Sequence, residues 1–283
     1  MHVLREDDPG NEPLRSAVKL GRAIVVTSGK GGVGKTTTTA NLGTALARRG
    51  ANVALVDADV GLRNLDIVLG LESRVKHHVL DVLEETVPLE DALVRDKHSP
   101  TLSLLPAAQT REKDEVDTDK MRALIETLRE RFDYVLIDCP AGIEKGFKNA
   151  VAGAEEAIVV CTPEVSAVRD VDRVVGLLGS RFRPQLIINR MRAQLVKKGK
   201  MLSVDDVNGI LRLPLLGVIA DEPEVIVSTN KGEPLALRND SKTAAAYHAI
   251  AARVAGEEVA APTVELKESL FDRLGSLFGG RRA

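Results

Sequence analysis

A chain of 283 residues with 44% hydrophobic side chains can bury a large core, and an α/β domain of that length commonly stays single. A formal charge of −2, from 39 basic and 41 acidic residues, argues against a uniformly basic surface that would coat DNA. Five Phe, two Tyr and no Trp leave little for stacking on single-stranded bases, and the two cysteines, Cys139 and Cys161, form no C-x-x-C pair for an iron–sulfur or zinc site.

In chain order, residues 1–21 are polar, lack a sustained period and read as an N-terminal extension with no core of its own. Ala23–Ser28 is a short β-branched run, read as a buried strand, and it feeds Gly29-Lys30-Gly31-Gly32-Val33-Gly34-Lys35-Thr36. That run fits the phosphate-loop pattern G-x-x-x-x-G-K-[ST]. Its glycines let backbone N–H groups curl around phosphate oxygens, and the helix expected over Thr36–Arg49 adds its N-terminal partial charge. Lys35 is placed to reach the β- and γ-phosphates, and the Thr36 hydroxyl suits Mg²⁺.

A second strand, Val53–Asp57, follows, so strand, glycine loop, helix and strand stand in the order that the motif requires. Further along, a helical stretch is expected around Val79–Val94, a strand over Thr101–Pro106 and an amphipathic helix over Thr118–Arg131. Strands are also expected at Tyr134–Asp138, Ala157–Cys161, Leu186–Asn189 and Leu216–Ile219. Continuous apolar strands alternating with helices predict a mostly parallel sheet covered on both faces, the three-layer α/β sandwich of P-loop NTPases.

Tyr134–Asp138 is an apolar strand ending in a carboxylate, the Walker B pattern, so Asp138 is a candidate Mg²⁺ ligand. Asp57 and Asp59 end the neighbouring strand; they either approach the same site or serve helix capping and turn chemistry. Cys139 and Cys161 read as buried thiols of a reducing cytoplasm, and His77 and His78 as exposed side chains rather than metal ligands. No apolar stretch is long enough to span a bilayer and no signal peptide opens the chain, so a cytoplasmic protein is expected.

Residues 255–263 form a Pro- and Ala-containing linker between a domain at 22–254 and a tail at 264–283. At helical spacing the tail gathers Leu266, Leu270, Phe271, Leu274, Leu277 and Phe278 into one arc of roughly 140°. Glu265, Glu268 and Asp272 face the other way, Arg273 lies at the rim, and Lys267 projects inside the apolar arc. Taken alone, the pattern suits a terminal helix packed on its own domain better than one lying on a membrane.

Several segments resemble the ParA/MinD family of deviant Walker A ATPases. They are Lys30–Thr37, Asp57–Asp66, Leu105–Arg111, Asp138–Glu144 and Pro163–Asp170, and the likeness covers about residues 22–240 and the tail. The resemblance implies an ATPase that uses ATP and Mg²⁺ and forms a homodimer when ATP is bound. Lys30 would cross to the partner's nucleotide and stabilise transition-state charge, Asp59 would orient the attacking water, and Asp57 would sit near the Mg²⁺ shell. Thr37 would join the phosphate loop. Asn189 would recognise adenine, and the segment reaching Asp221 would cover the base, although Ala220 stands where the family often has proline. The tail would bind phospholipid at the inner face of the cell membrane.

Implied partners are a MinC-like division inhibitor and a MinE-like topological regulator or a substitute for it, with no specific nucleic acid expected. Arg63, Asn64 and the segment Val168–Asp170 would offer the partner surface. A flagellar-number regulator of the same type and a ParA-type DNA-segregation ATPase are the alternative readings.

Overall fold

The computed structural model describes residues 20–109, 116–143 and 145–260. The predicted extension up to residue 19 and the predicted tail at 264–283 lie outside the described residues. Strand β1 (Arg22–Thr27) leads through the glycine loop into α1 (Lys35–Arg48), and β2 (Val53–Asp57) into α2 (Leu65–Leu69). Next come α3 (Val79–Leu83), α4 (Leu89–Ala92), β3 (Val94–Arg95), β4 (Leu102–Leu105), α5 (Thr118–Arg129), β5 (Tyr134–Asp138) and α6 (Lys145–Val151). The chain continues with β6 (Glu156–Cys161), α7 (Val165–Leu178), β7 (Gln185–Met191), α8 (Ala193–Lys197) and α9 (Val204–Leu211). It ends in β8 (Leu215–Ala220), α10 (Pro223–Lys231) and α11 (Lys242–Val254).

The strands form one eight-stranded sheet in the order β3-β4-β2-β5-β1-β6-β7-β8, parallel except for β3. Successive side chains on a strand point to opposite faces, and the core divides accordingly. Val25, Val56, Ile137 and Val159 pack under α3, α5 and α7, whereas Ile24, Leu55, Leu136 and Ile158 pack under α1, α2 and α11. The expected three-layer sandwich is therefore present. Val53–Asp57 and Tyr134–Asp138 match their expected bounds, and the other expected strands appear with ends shifted by a residue or two.

The stretch expected as one helix around Val79–Val94 is instead two short helices and a strand. Glu85 takes a left-handed φ of 60°, which ends α3, and Pro88 has no N–H to continue a helix. Val94 and Arg95 then pair antiparallel with Leu104 and Ser103 as the sheet's edge. His78 is half-buried and caps α3, its ring nitrogen Nδ1 accepting from the Asp81 N–H at 3.3 Å, so it has a structural use that the surface reading did not foresee.

Helix α1 is buried along most of its length because α11 covers the side that the sheet does not. Gly43 on α1 faces Leu55, and a Cβ built there would lie 2.5 Å from a Leu55 methyl. Leu55→Ala is expected to cost about 2–5 kcal/mol in urea denaturation, the range for emptying a core leucine site. Gly43→Ala should destabilise the natural chain yet recover part of the loss in the Leu55→Ala background, because the new methyl fills the vacated space.

Candidate functional site

The parallel register builds the site. Asp57 pairs with Asp138 across β2 and β5, and Val26 of β1 pairs with Asp138 from the other side. Both carboxylates therefore end their strands next to the glycine loop, on the sheet face that α1 covers. Ligands of open α/β sheets bind beyond these carboxyl ends.

Within the loop, Gly32 and Gly34 have φ of 75° and 96°, conformations that a Cβ would strain. A Cβ on Gly34 would also lie 2.4 Å from Asn189 Nδ2, and one on Gly29 would lie 2.3 Å from the backbone of Asp170 on α7. Gly31 and Gly32 are exposed, Val33 is buried beneath them, and the Ser28 hydroxyl donates to the Lys30 carbonyl at 2.7 Å. The loop is thus a backbone cradle braced from β7 and α7. Lys30 is exposed beyond it, while Lys35 is buried and Thr36 and Thr37 are half-buried at the start of α1.

Asp138 is buried, and its side chain receives hydrogen bonds from Thr36 and from Thr39, whose Oγ1 lies 3.3 Å from Oδ1. Burial pushes its carboxyl above the ordinary aspartate range; the Thr36 hydrogen bond and the Lys35 charge oppose that shift. Asp57 is buried too. Its carboxyl is raised by burial and by the charge of Asp138, although backbone N–H groups stabilise the anion. Those donors are Asp59 at 3.0 Å, Asn64 at 3.3 Å and Leu65 at 3.2 Å. Asp57 thereby organises the loop that follows β2 and caps α2 from a distance, so the turn-chemistry reading of this residue describes its contacts. Asp59 is half-buried, and its charge adds to the pressure on Asp138.

Two buried carboxyl groups on neighbouring strands, both driven toward protonation, form a donor set whose cost a divalent cation would relieve. Among the described residues no cluster of three or more His, Cys, Asp or Glu could hold a metal by itself. A cation here would share the Thr36 hydroxyl and phosphate oxygens with these carboxylates, as P-loop sites do. The residues present fit Mg²⁺ on those terms.

Asn189, inside β7, lies against the loop, and Asp221 follows β8; both are occupied within the protein. Asn189 Nδ2 donates to the Val33 carbonyl at 2.8 Å, and its Oδ1 accepts from the Arg190 N–H at 2.9 Å. Asp221 Oδ2 accepts from Arg192 Nε at 2.5 Å. In the loop after β2, Arg63 adopts a left-handed φ of 43° and donates from Nε to the buried Asp66 at 2.6 Å, whereas Asn64 is exposed. Val168 is buried, facing the core from α7, so only Arg169 and the half-buried Asp170 of that segment can offer surface; the expectation for Val168 is corrected.

Thr39, whose hydroxyl reaches Asp138, is a contact of this site that the sequence reading missed. Its signal was its spacing, three residues after Thr36 on one face of α1. Cys139, just after β5, and Cys161, at the end of β6, are buried with β1 between those strands, and burial pushes both thiols up to about 12. No helix among the described residues is long and apolar enough to cross a membrane.

Comparisons with known proteins agree with this geometry. The family described as "ParA: NUBPL iron-transfer P-loop NTPase" matches residues 19–255. The septum site-determining protein MinD of Synechocystis sp. is 54% identical over 243 residues, 85% of this chain and 91% of the relative. Among solved structures, the chain in the MinC:MinD cell division protein complex of Aquifex aeolicus has a TM-score of 0.81 and 46% identity, covering 87% of this chain and all of that one. The MinD of Pyrococcus horikoshii complexed with Mg-ADP has a TM-score of 0.76 and 34% identity, covering 83% of this chain and 96% of its own.

The raised carboxyl of Asp138 generates a signed prediction. A folded-state value above the unfolded one means that ionised Asp138 opposes folding, with the penalty complete above the folded value and gone below about pH 4. Asp138→Asn should therefore raise the melting temperature of the ligand-free chain at pH 8 by about 2–4 °C, the shift that 1 kcal/mol produces in a domain of this size. The gap should close as the pH falls toward 4. A gap independent of pH would mean that packing, not charge, sets the difference.

Proposed function

Because the chain belongs to the ParA family of P-loop NTPases, and within it to the septum site-determining MinD proteins, we propose that it is an ATPase whose nucleotide state controls dimerisation and membrane binding during division-site selection. The observation that carries the reading is the phosphate cradle at Gly29–Thr36 set against the buried pair Asp57 and Asp138. In this reading Gly29, Gly31, Gly32, Val33 and Gly34 present backbone N–H groups to the phosphates. Lys35 neutralises the β/γ oxygens, and Thr37 completes the turn. Thr36 and Asp138 would hold Mg²⁺, with Asp57 near its shell, and the ion would supply charge neutralisation on the phosphoryl oxygens. Asp59 orients the water that attacks the γ-phosphorus. Asn189 and Asp221 are the proposed base contacts, and meeting the base would require their present hydrogen bonds to open or be shared.

Dimerisation explains why Lys30 is exposed on the same rim as three large apolar side chains. Leu62, Ile143 and Val165 are 59%, 45% and 58% exposed, respectively, and all follow strands at their carboxyl ends. A second copy facing this rim would cover them and bring each Lys30 to its neighbour's phosphates, where a cation stabilises developing charge. Two tails carried by one dimer gain avidity for phospholipid of about 10²–10⁴-fold over a single tail. Hydrolysis would then release both membrane and partner. A MinC-like inhibitor and a MinE-like regulator or its substitute are the partners proposed, with Asn64 and Arg169 as candidate contacts, and the protein would cycle between the cytoplasm and the inner face of the cell membrane.

Sedimentation with anionic phospholipid vesicles tests the scheme. The natural chain should pellet in ATP and stay largely in solution in ADP, while Lys35→Ala and a chain ending at residue 263 remain soluble in both. Lys30→Ala should elute as a single copy in ATP on size-exclusion chromatography. Equal pelleting by the truncated chain would remove the tail from the mechanism, and ATP-driven pairing of the Lys30 variant would remove the crossing lysine.

A further inference from the structure

We infer that Gly70 and Gly232 form a joint between the metal side of the site and its base side, so that a cation at Asp57 and Asp138 alters how the segment at Asp221 discriminates between bases. This rests on the nucleotide reading proposed above. Both glycines are positioning residues.

The joint is a contact of backbone on backbone. Gly70 follows α2 and Gly232 follows α10, with left-handed φ of 64° and 62°. A Cβ on Gly232 would lie 2.4 Å from the Gly70 Cα. One on Gly70 would lie 2.7 Å from the Gly232 carbonyl oxygen and 2.8 Å from Lys97 Nζ. Carbon atoms in contact prefer about 3.5–4.0 Å, so a methyl at either position has to push the two helix ends apart by about 1 Å. A left-handed glycine closing one helix is ordinary capping. Capping does not require two such turns to pack against each other with no side chain between them.

The two helices begin at different parts of the site. At the start of α2, the N–H groups of Asn64 and Leu65 donate to Asp57 Oδ2 at 3.3 and 3.2 Å. Helix α10 begins at Pro223, two residues after Asp221. Helix α2 is well fixed, with Leu65, Val68 and Leu69 in the core. Helix α10 is not: Ser228 alone among its residues is buried, and it packs chiefly on α2 and on the turn Leu235–Leu237. The Gly232 N–H donates to the Thr229 carbonyl at 3.1 Å, and the Ser228 hydroxyl donates to the Glu233 carbonyl, so Gly232 moves with α10 as one piece.

Asp57 therefore cannot shift without loading the start of α2, and the far end of α2 bears on Gly232. Helix α10, held mainly at that joint, follows and carries the Asp221 segment with it. The effect is reciprocal by linkage: a base seated against Asp221 changes the affinity of the carboxylate pair for a divalent cation by the same factor.

Calorimetric titration of the full chain with ADP and with GDP, each in Mg²⁺ and in EDTA, tests the joint. In the natural chain the preference for ADP over GDP should change at least about fivefold between the two conditions, and in Gly232→Ala less than about twofold. Gly199→Ala controls for backbone strain, because Gly199 has a φ of 63° and a Cβ there would meet open space. It should respond as the natural chain does. A natural response in Gly232→Ala, or a lost one in Gly199→Ala, overturns the inference. A natural chain that binds ADP with no Mg²⁺ effect on the preference overturns it and leaves the ATPase reading in place; one that binds no ADP overturns both. Should Gly232→Ala fail to fold, amide hydrogen exchange of the natural chain decides the matter. Adding Mg²⁺ to the ADP complex should alter exchange several-fold over residues 223–231 as well as 65–69, and unchanged exchange over 223–231 overturns the inference.

Discussion

The structure depends on one juxtaposition: two aspartates, on strands hydrogen-bonded in register, buried together beneath the first turn of a helix. Burying a carboxylate is costly, and burying two side by side more so. The fold offsets that cost with hydroxyls from Thr36 and Thr39, the Lys35 ammonium and three backbone N–H groups after β2. A stable core would have placed valine or leucine at these strand ends, so the strain is informative about chemistry.

The surroundings of that pair follow from how the loop is held. Gly34 approaches Asn189, and Gly29 approaches the backbone of α7, so β7 and α7 set the shape of a cradle that belongs in sequence to β1 and α1. The loop after β2 is held differently, through Asp57 and through an ion pair between a left-handed Arg63 and a buried Asp66. The cradle is braced by the Asn189 amide and the backbone of α7, whereas the loop is braced by carboxylates.

Much of this could be read from the residues. The glycine spacing, the apolar strand ending in Asp138 and the alternation of strands with helices each rest on local rules, and each reappears in the structure. The helix expected at Val79–Val94 failed for a local reason as well, because Pro88 and a left-handed Glu85 break the period that the apolar residues suggested. Val168 failed for a tertiary one: its motif is recognisable, but its side chain packs into the core while its neighbour Arg169 faces water.

By itself the sequence determined the class of fold, the phosphate loop and the carboxylates that serve it, since periodicity, glycine placement and strand-end chemistry are written within a few residues of one another. Only the tertiary structure decided which strands lie side by side, and hence that Asp57 meets Asp138 and that Asn189 braces Val33. Those contacts join residues far apart along the chain, and no local spacing encodes them; they arise from the order in which buried strands pair to cover one another's faces.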